Sequence, residues 1–181
     1  MLVVALNGSP RRSGNTELLL DRALEGARSA GAETMRIDVA FLDIGGCREC
    51  DRCREEGRCA VDDGMSAVFE ALERADALIV GTPIFFSGPT GQLKTAIDRC
   101  QSIWVNPPAR KGRKAAIIAV GADPHATFRN AVSEIRSFLN TVGFASKEEL
   151  LVPNVFCKGD ILSKEDEMER AYSIGRSLAV P

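Results

Sequence analysis

The chain has 181 residues, of which 45% are hydrophobic and 27% charged, a composition that excludes intrinsic disorder and needs no disulfide scaffold to bury a core. That length predicts one domain spanning residues 1–181. Its 23 Lys and Arg nearly balance 25 Asp and Glu, and a net charge of −2 removes the footprint of a non-specific nucleic-acid or membrane binder.

The elements follow in chain order. Residues 2–7 form a short Val- and Leu-containing run that reads as a buried strand. A Gly, Ser, Pro and Arg loop comes next. Leu18, Leu19, Leu20, Ala23, Leu24 and Ala27 then recur at helical spacing from Asn15 to about Ala30, with Gly31 placed to end the helix. A second strand is expected over 34–42. Residues 43–62 carry Gly45, Gly46 and Gly57 and no hydrophobic period, so they read as an irregular insert. A helix over 65–75 and a continuously apolar strand at Ala77-Leu78-Ile79-Val80 follow. Beyond a loop at 82–90, helical period returns from Gln92 to about Ile103, broken by the basic, Pro-rich stretch 106–112. A fourth strand at 115–120, a helix at 124–142, a fifth strand at 149–156 and a last helix at 165–178 complete the chain.

Alternating strands and helices predict an α/β doubly wound parallel sheet, and five strands suit the flavodoxin-like order 2-1-3-4-5, with the cysteine-rich insert after strand two. Ligands of such sheets bind outside the carboxyl ends of the strands, which directs attention to residues 8–16, 82–91 and 121–126. No apolar stretch approaches the ~20 residues of a membrane-spanning helix, and the first residues lack the basic flank and cleavage site of a signal peptide, so a cytoplasmic protein is expected.

The first loop reads Gly8-Ser9-Pro10-Arg11-Arg12-Ser13-Gly14-Asn15-Thr16 and opens a helix. Hydroxyls of Ser9, Ser13 and Thr16, the Asn15 amide, the guanidinium groups of Arg11 and Arg12 and the free N–H groups of a helix start suit a phosphate held without metal. The spacing is neither that of a dinucleotide fingerprint nor that of a nucleoside triphosphatase loop, so a single phosphate is the natural guest. A plain βα turn that caps its helix would share the Gly, Ser and Asn, but a cap has no use for two adjacent arginines.

The second loop, Thr82-Pro83-Ile84-Phe85-Phe86-Ser87-Gly88, offers backbone amides and two aromatics suited to a flat polar ring, although either Phe taken alone reads better as core beneath a loop. Gly121 to His125 is expected to close the far side of the pocket, with His125 a surface loop residue.

Gly8-Ser9-Pro10-Arg11 with Gly14-Asn15-Thr16, Gly81 to Gly88, and Gly91-Gln92-Leu93-Lys94-Thr95-Ala96-Ile97-Asp98-Arg99 together resemble the NADPH-dependent FMN reductase-like branch of the flavodoxin superfamily. The cysteine insert is similar to that of the iron–sulfur flavoproteins within it. The resemblance implies FMN, with its phosphate in the first loop and its ring against the second, NAD(P)H as a candidate co-substrate, and a homodimer or homotetramer. The insert and residues 104–113 would then lie near an interface or over the flavin, with Trp104 either an interface anchor or simply half-buried.

Four of the six cysteines fall in the run Cys47-x2-Cys50-x2-Cys53-x5-Cys59. On a straight helix the first three would spread over about 9 Å, so a loop wrapped round an inorganic core suits them better. The run is similar to the 4Fe–4S motif of iron–sulfur flavoproteins. Structural zinc, disulfides and a metal-free loop are the alternatives. Cys100 and Cys157 read as small buried apolar residues.

The expected protein is an FMN-dependent oxidoreductase passing electrons between FMN and a 4Fe–4S cluster, with NAD(P)H or a protein such as ferredoxin as the electron donor. The rival expectations are a cluster-free NAD(P)H-dependent reductase of FMN or quinones and a non-enzymatic, flavodoxin-like carrier. No side chain in these loops is compelled to act as acid or base.

Overall fold

The inner strands are apolar on both sides, so each sheet face must be covered. Val3 to Leu6, Ala77 to Val80 and Ala115 to Val120 are all buried. In the computed structural model, which describes residues 1–180, that requirement is met by helices on the two faces of a five-stranded sheet. The strands are β1 (Leu2–Asn7), β2 (Glu33–Asp38), β3 (Ala77–Pro83), β4 (Arg113–Val120) and β5 (Phe144–Val152). All are parallel and lie in the order β2-β1-β3-β4-β5. The helices are α1 (Asn15–Ser29), α2 (Arg52–Glu56), α3 (Met65–Arg74), α4 (Gly91–Arg99), α5 (Gln101–Val105), α6 (Arg129–Thr141) and α7 (Glu165–Leu178).

Alternate residues of each strand feed two separate cores, as the two-residue period of a strand dictates. Val4, Leu6, Leu78, Val80 and Ile117 pack against residues of α3, α4 and α6. Val3, Ala5, Ile79, Ala116 and Ile118 pack against α1 and α7. These last two helices approach so closely that glycine is required at the crossing: a Cβ on Gly175 would lie 1.7 Å from the Ala23 carbonyl oxygen, and one on Gly26 would lie 2.0 Å from that of Tyr172. No helix among the described residues is long and apolar enough to cross a membrane.

Several expected boundaries move. Strand two stops at Asp38 and runs into a 3-10 turn over Val39–Phe41, because Val39 turns inward and Leu42 N–H closes back on the Val39 carbonyl. The insert is not wholly irregular: Arg52–Glu56 form one helical turn, held by Arg52–Glu56 and Arg54–Asp51 ion pairs and ended by Gly57 at φ 73°. The helix expected over 92–103 breaks at Cys100, whose N–H bonds the Ile97 carbonyl in a tightened turn. The helix expected from Pro124 starts at Arg129, because Asp123 holds a turn by accepting from His125 N–H at 2.7 Å through its side chain.

The fifth strand begins five residues early, at Phe144, and ends at Val152. As an edge strand it tolerates Lys147, Glu148 and Glu149, which break the apolar pattern, and Pro153 has no N–H with which to continue pairing. Phe156 therefore lies outside the sheet and is exposed, and Cys157, expected to be buried, is exposed beside it. Cys100 is buried as expected, and desolvation pushes its thiol up to about 12.

The α1–α7 contact yields a direct test. Gly175→Ala should lower stability by roughly 2 kcal/mol through overpacking, read as a lower urea midpoint with an unchanged slope.

Candidate functional site

The parallel sheet delivers the loops after β1, β3 and β4 to one edge. Asn7, at the end of β1 and fully buried, begins the first loop. Its amide donates to the Asp38 carboxylate at 2.9 Å, and its carbonyl oxygen accepts Ser9 N–H at 3.0 Å. Ser9 Oγ accepts Arg11 N–H at 3.2 Å, and Gly14 N–H closes on the Arg11 carbonyl at 3.1 Å. A Cβ at Gly14 would sit 2.8 Å from that carbonyl, so the turn into α1 needs glycine. Because Gly14 is the N-cap, the first N–H groups of α1 have no side-chain cap.

The second loop is a two-residue hairpin. Phe85 and Gly88 exchange backbone hydrogen bonds of 3.0 Å each way, with Phe86 and Ser87 between them at φ 49° and 65°. Positive φ at a bulky aromatic is uncommon and costs of order 1–3 kcal/mol. Here it turns Phe86 fully into solvent while Phe85 faces back and is half-exposed.

One residue ties the two loops together. Thr90, fully buried, donates its hydroxyl to the Gly8 carbonyl at 2.6 Å, accepts Leu93 N–H at 3.3 Å as the N-cap of α4, and gives its own N–H to Thr82 Oγ1 at 3.2 Å. The sequence places Thr82 and Thr90 in a loop and gives their hydroxyls no role, although a hydroxyl one residue ahead of Gly91 is the ordinary signal of a helix start.

Between these loops lies a cleft of about 520 Å³, ample for a cofactor. Of the residues expected at the site, it gathers Ser9, Arg11, Asn15 and Thr16 from the first loop and Pro83, Ile84 and Phe85 from the second. Pro10, Gly14, Val120, Ala122, Val155 and Phe156 complete its walls. Val155 and Phe156 come from a segment that had been expected to be strand.

Arg12, Ser13, Phe86, Ser87 and Gly88 do not line it. Arg12 stacks on Phe41 with its guanidinium 4.0 Å from the ring centre, and Ser13 gives its N–H to Glu17 at 2.8 Å. Asn15 lines the cleft, but its amide is spent on the segment beyond β5: it donates to the Cys157 carbonyl at 2.9 Å and accepts N–H bonds from Gly159 and Ile161 at 3.0 and 3.3 Å. Arg11 reaches the same segment, donating to the Phe156 carbonyl at 3.1 Å. Of the third loop only Ala122 reaches the cleft, and His125 is exposed.

The insert makes a second cavity, of about 270 Å³, lined by Cys47, Cys50, Cys53 and Cys59 together with Arg99 and Val61. No three His, Cys, Asp or Glu side chains among the described residues close round a point as a lone metal ion requires. The donor set is nonetheless four free thiols, whose soft sulfur suits iron–sulfur clusters or zinc.

Arg99 is the residue that sequence reasoning missed here. The last residue of α4, it is 1% exposed and bonds the insert and the residue after it at four points: the Gly45 carbonyl at 2.8 Å, Asp63 Oδ2 at 2.6 Å, the Val61 carbonyl at 3.1 Å and Cys59 Sγ at 3.4 Å. Burial works to raise the Asp63 carboxyl, but hydrogen bonds from Arg99, Met65 and Gly45 outweigh it and hold the group below the ordinary carboxylate range. The signal was present in the sequence, since Arg99 follows Leu93 and Ala96 at three-residue spacing on the buried face of α4.

A family model described as NADPH-dependent FMN reductase matches residues 1–154. An iron–sulfur flavoprotein of Methanocaldococcus jannaschii is 39% identical over 141 residues, covering 76% of this chain and 70% of its own length. Among solved structures, a flavone reductase superposes with a TM-score of 0.79 at 23% identity, covering 99% of this chain and 62% of that one. An NAD(P)H:quinone oxidoreductase from Methanothermobacter marburgensis gives 0.74 at 22% identity, covering 100% and 98%. At these identities the two structures establish the fold alone.

The cleft separates the two arginines. Arg11→Ala should weaken FMN binding about tenfold or more, the loss of one charge-assisted hydrogen bond of about 1.5–3 kcal/mol, whereas Arg12→Ala should change it far less. Fluorescence titration of the metal-free protein with FMN measures both. Thr90→Val should lower stability by about 1–3 kcal/mol, because it leaves the buried Gly8 carbonyl without its donor and removes the α4 cap, and chemical denaturation reads that loss.

Proposed function

Because this chain belongs to the NADPH-dependent FMN reductase family, and is thereby an FMN-dependent oxidoreductase, we propose that it binds FMN in the cleft between its first two loops and a 4Fe–4S cluster in the cysteine cavity, and that electrons pass between the two. The observation that carries the reading is that a single cleft is walled by an uncapped helix start with Arg11 on one side and by Pro83, Ile84 and Phe85 on the other. The phosphate half and the ring half of one ligand need that pairing of surfaces.

When bound, flavin exchanges electrons singly or in pairs and a 4Fe–4S cluster exchanges them one at a time, so together they can link two-electron and one-electron partners. The chain supplies position and charge. The N–H groups at the start of α1, the Ser9 and Thr16 hydroxyls and the Arg11 guanidinium would hold the phosphate dianion, with the helix dipole adding to the attraction. Asn15 orients this wall indirectly, by fixing the 157–161 segment against it. Pro83, Ile84 and Phe85 would cover the flavin ring, and Phe156 would flank it from the segment after β5. Arg12, Ser13, Phe86, Ser87 and Gly88 would act outside the cleft, where Phe86 presents an apolar surface to whatever approaches. Cys47, Cys50, Cys53 and Cys59 would ligate the iron, as the donor set and their shared cavity support.

NAD(P)H or a protein such as ferredoxin would supply electrons, and a second copy of the chain would extend the surface around Trp104 and Phe86, both exposed. Freshly purified anaerobic protein should show flavin bands with a broad cluster shoulder and contain iron and acid-labile sulfide. Flavin bands without iron or sulfide would leave a cluster-free reductase, and failure to oxidise NAD(P)H with any acceptor would leave a carrier fed by a protein donor.

A further inference from the structure

Burying a guanidinium costs several kcal/mol unless its charge and its N–H groups are satisfied. Arg99 meets this cost in an unusual way, because every partner of its side chain lies in the insert or at Asp63, the residue that directly follows it. Asp63 neutralises the charge and is itself fixed by N–H bonds from Gly45 at 3.0 Å and Met65 at 3.0 Å. The two carbonyl contacts, to Gly45 and Val61, hold the chain on either side of the cysteine run. For anchoring the insert to α4 those three groups suffice. The contact from Nη2 to Cys59 Sγ is surplus to it, and Nε remains without an acceptor in the protein.

Hydrogen bonds and positive charge at a ligating sulfur favour the more negative, reduced form of an iron–sulfur cluster, and groups just outside the ligands orient them. We propose that Arg99 is a positioning residue of the cysteine cavity, which presents the Cys59 sulfur to the cluster and raises the cluster's reduction potential through its N–H···S contact. The inference rests on the 4Fe–4S reading given above. It assigns a task to a side chain on α4 rather than on the insert. The helix capped by Thr90, which joins the two loops of the FMN cleft, thus ends on the cysteine cavity. Arg48 and Arg54 also line that cavity, but Arg54 is exposed and paired with Asp51, and Arg48 is exposed, so both act through water.

The test uses the full chain with FMN, reconstituted anaerobically with ferrous iron and sulfide, as wild type, Arg99→Lys and the double variant Asp63→Asn/Arg99→Met. The double variant removes the pair together, so no uncompensated carboxylate stays buried. FMN affinity checks that the sheet is intact, and a potentiometric titration followed by electron paramagnetic resonance reads the cluster. The double variant should bind FMN as wild type does, with its cluster about tenfold harder to reduce, equivalent to a fall of about 59 mV for one electron. Arg99→Lys, which keeps the charge and loses the fork, should fall between the two.

Equal potentials and equal iron and sulfide in all three proteins would overturn the assignment and reduce Arg99 to a structural clip. Should the double variant fail to bind FMN, the lysine variant decides alone: a lowered potential supports the inference and an unchanged one overturns it. Wild-type protein that binds FMN but takes up no iron or sulfide would overturn the cluster reading itself, and this inference with it.

Discussion

Burial of both sheet faces is the constraint on which everything else depends. Strands β1, β3 and β4 are apolar along both faces, so helices must lie on each side, and the crossovers they provide run all five strands the same way. A parallel sheet sends its βα loops to one edge, which is why the first loop, the Phe85–Gly88 hairpin and Ala122 meet although about seventy residues separate the first loop from the hairpin and about thirty-four more separate the hairpin from Ala122. The closeness of α1 to α7, permitted by Gly26 and Gly175, packs α1 against the sheet, while the Gly14 turn sets where it begins.

Two buried polar residues convert that architecture into defined sites. Thr90 joins the first loop to the second through the Gly8 carbonyl, so the two walls of the cleft share one hydrogen-bonded connection. Arg99 does the same at the other end of α4, drawing the insert onto the helix through Gly45, Cys59, Val61 and Asp63. Each is an investment in a low-dielectric setting, where a satisfied polar group specifies one arrangement and an unsatisfied one is costly. A nine-residue helix thereby has its N-terminal cap bonded to both loops of the cleft and its last residue bonded to the insert.

The family match and the geometry contribute different things. The match to the FMN reductase model covers residues 1–154 and establishes the class of oxidoreductase. The cleft distinguishes side chains that the motif treats alike: Arg11 lines it and Arg12 lies on Phe41, while Phe85 lines it and Phe86 stands in solvent. Adjacent residues in a turn point in different directions, and motif membership carries no information about direction.

Patterns that act over a few residues were legible in the sequence. The apolar runs of β1, β3 and β4, the helical spacing of α1 and the clustering of Cys47, Cys50, Cys53 and Cys59 follow from local period, composition or spacing, and the strand order followed from the fold class that the alternation of elements implies. What depends on distant partners was not legible. The early start of β5 reflects pairing with β4 at an edge that tolerates charge. The exposure of Cys157, the bracing role of Asn15 and the arrival of Val155 and Phe156 at the cleft reflect a segment folded back across more than a hundred residues. Arg99 sits where an amphipathic helix would place an apolar residue, and only the folded insert supplies the carboxylate, carbonyls and sulfur that make a charge tolerable there. Local period sets which face of an element is buried, whereas the partner that face meets is decided by the tertiary packing of the whole chain.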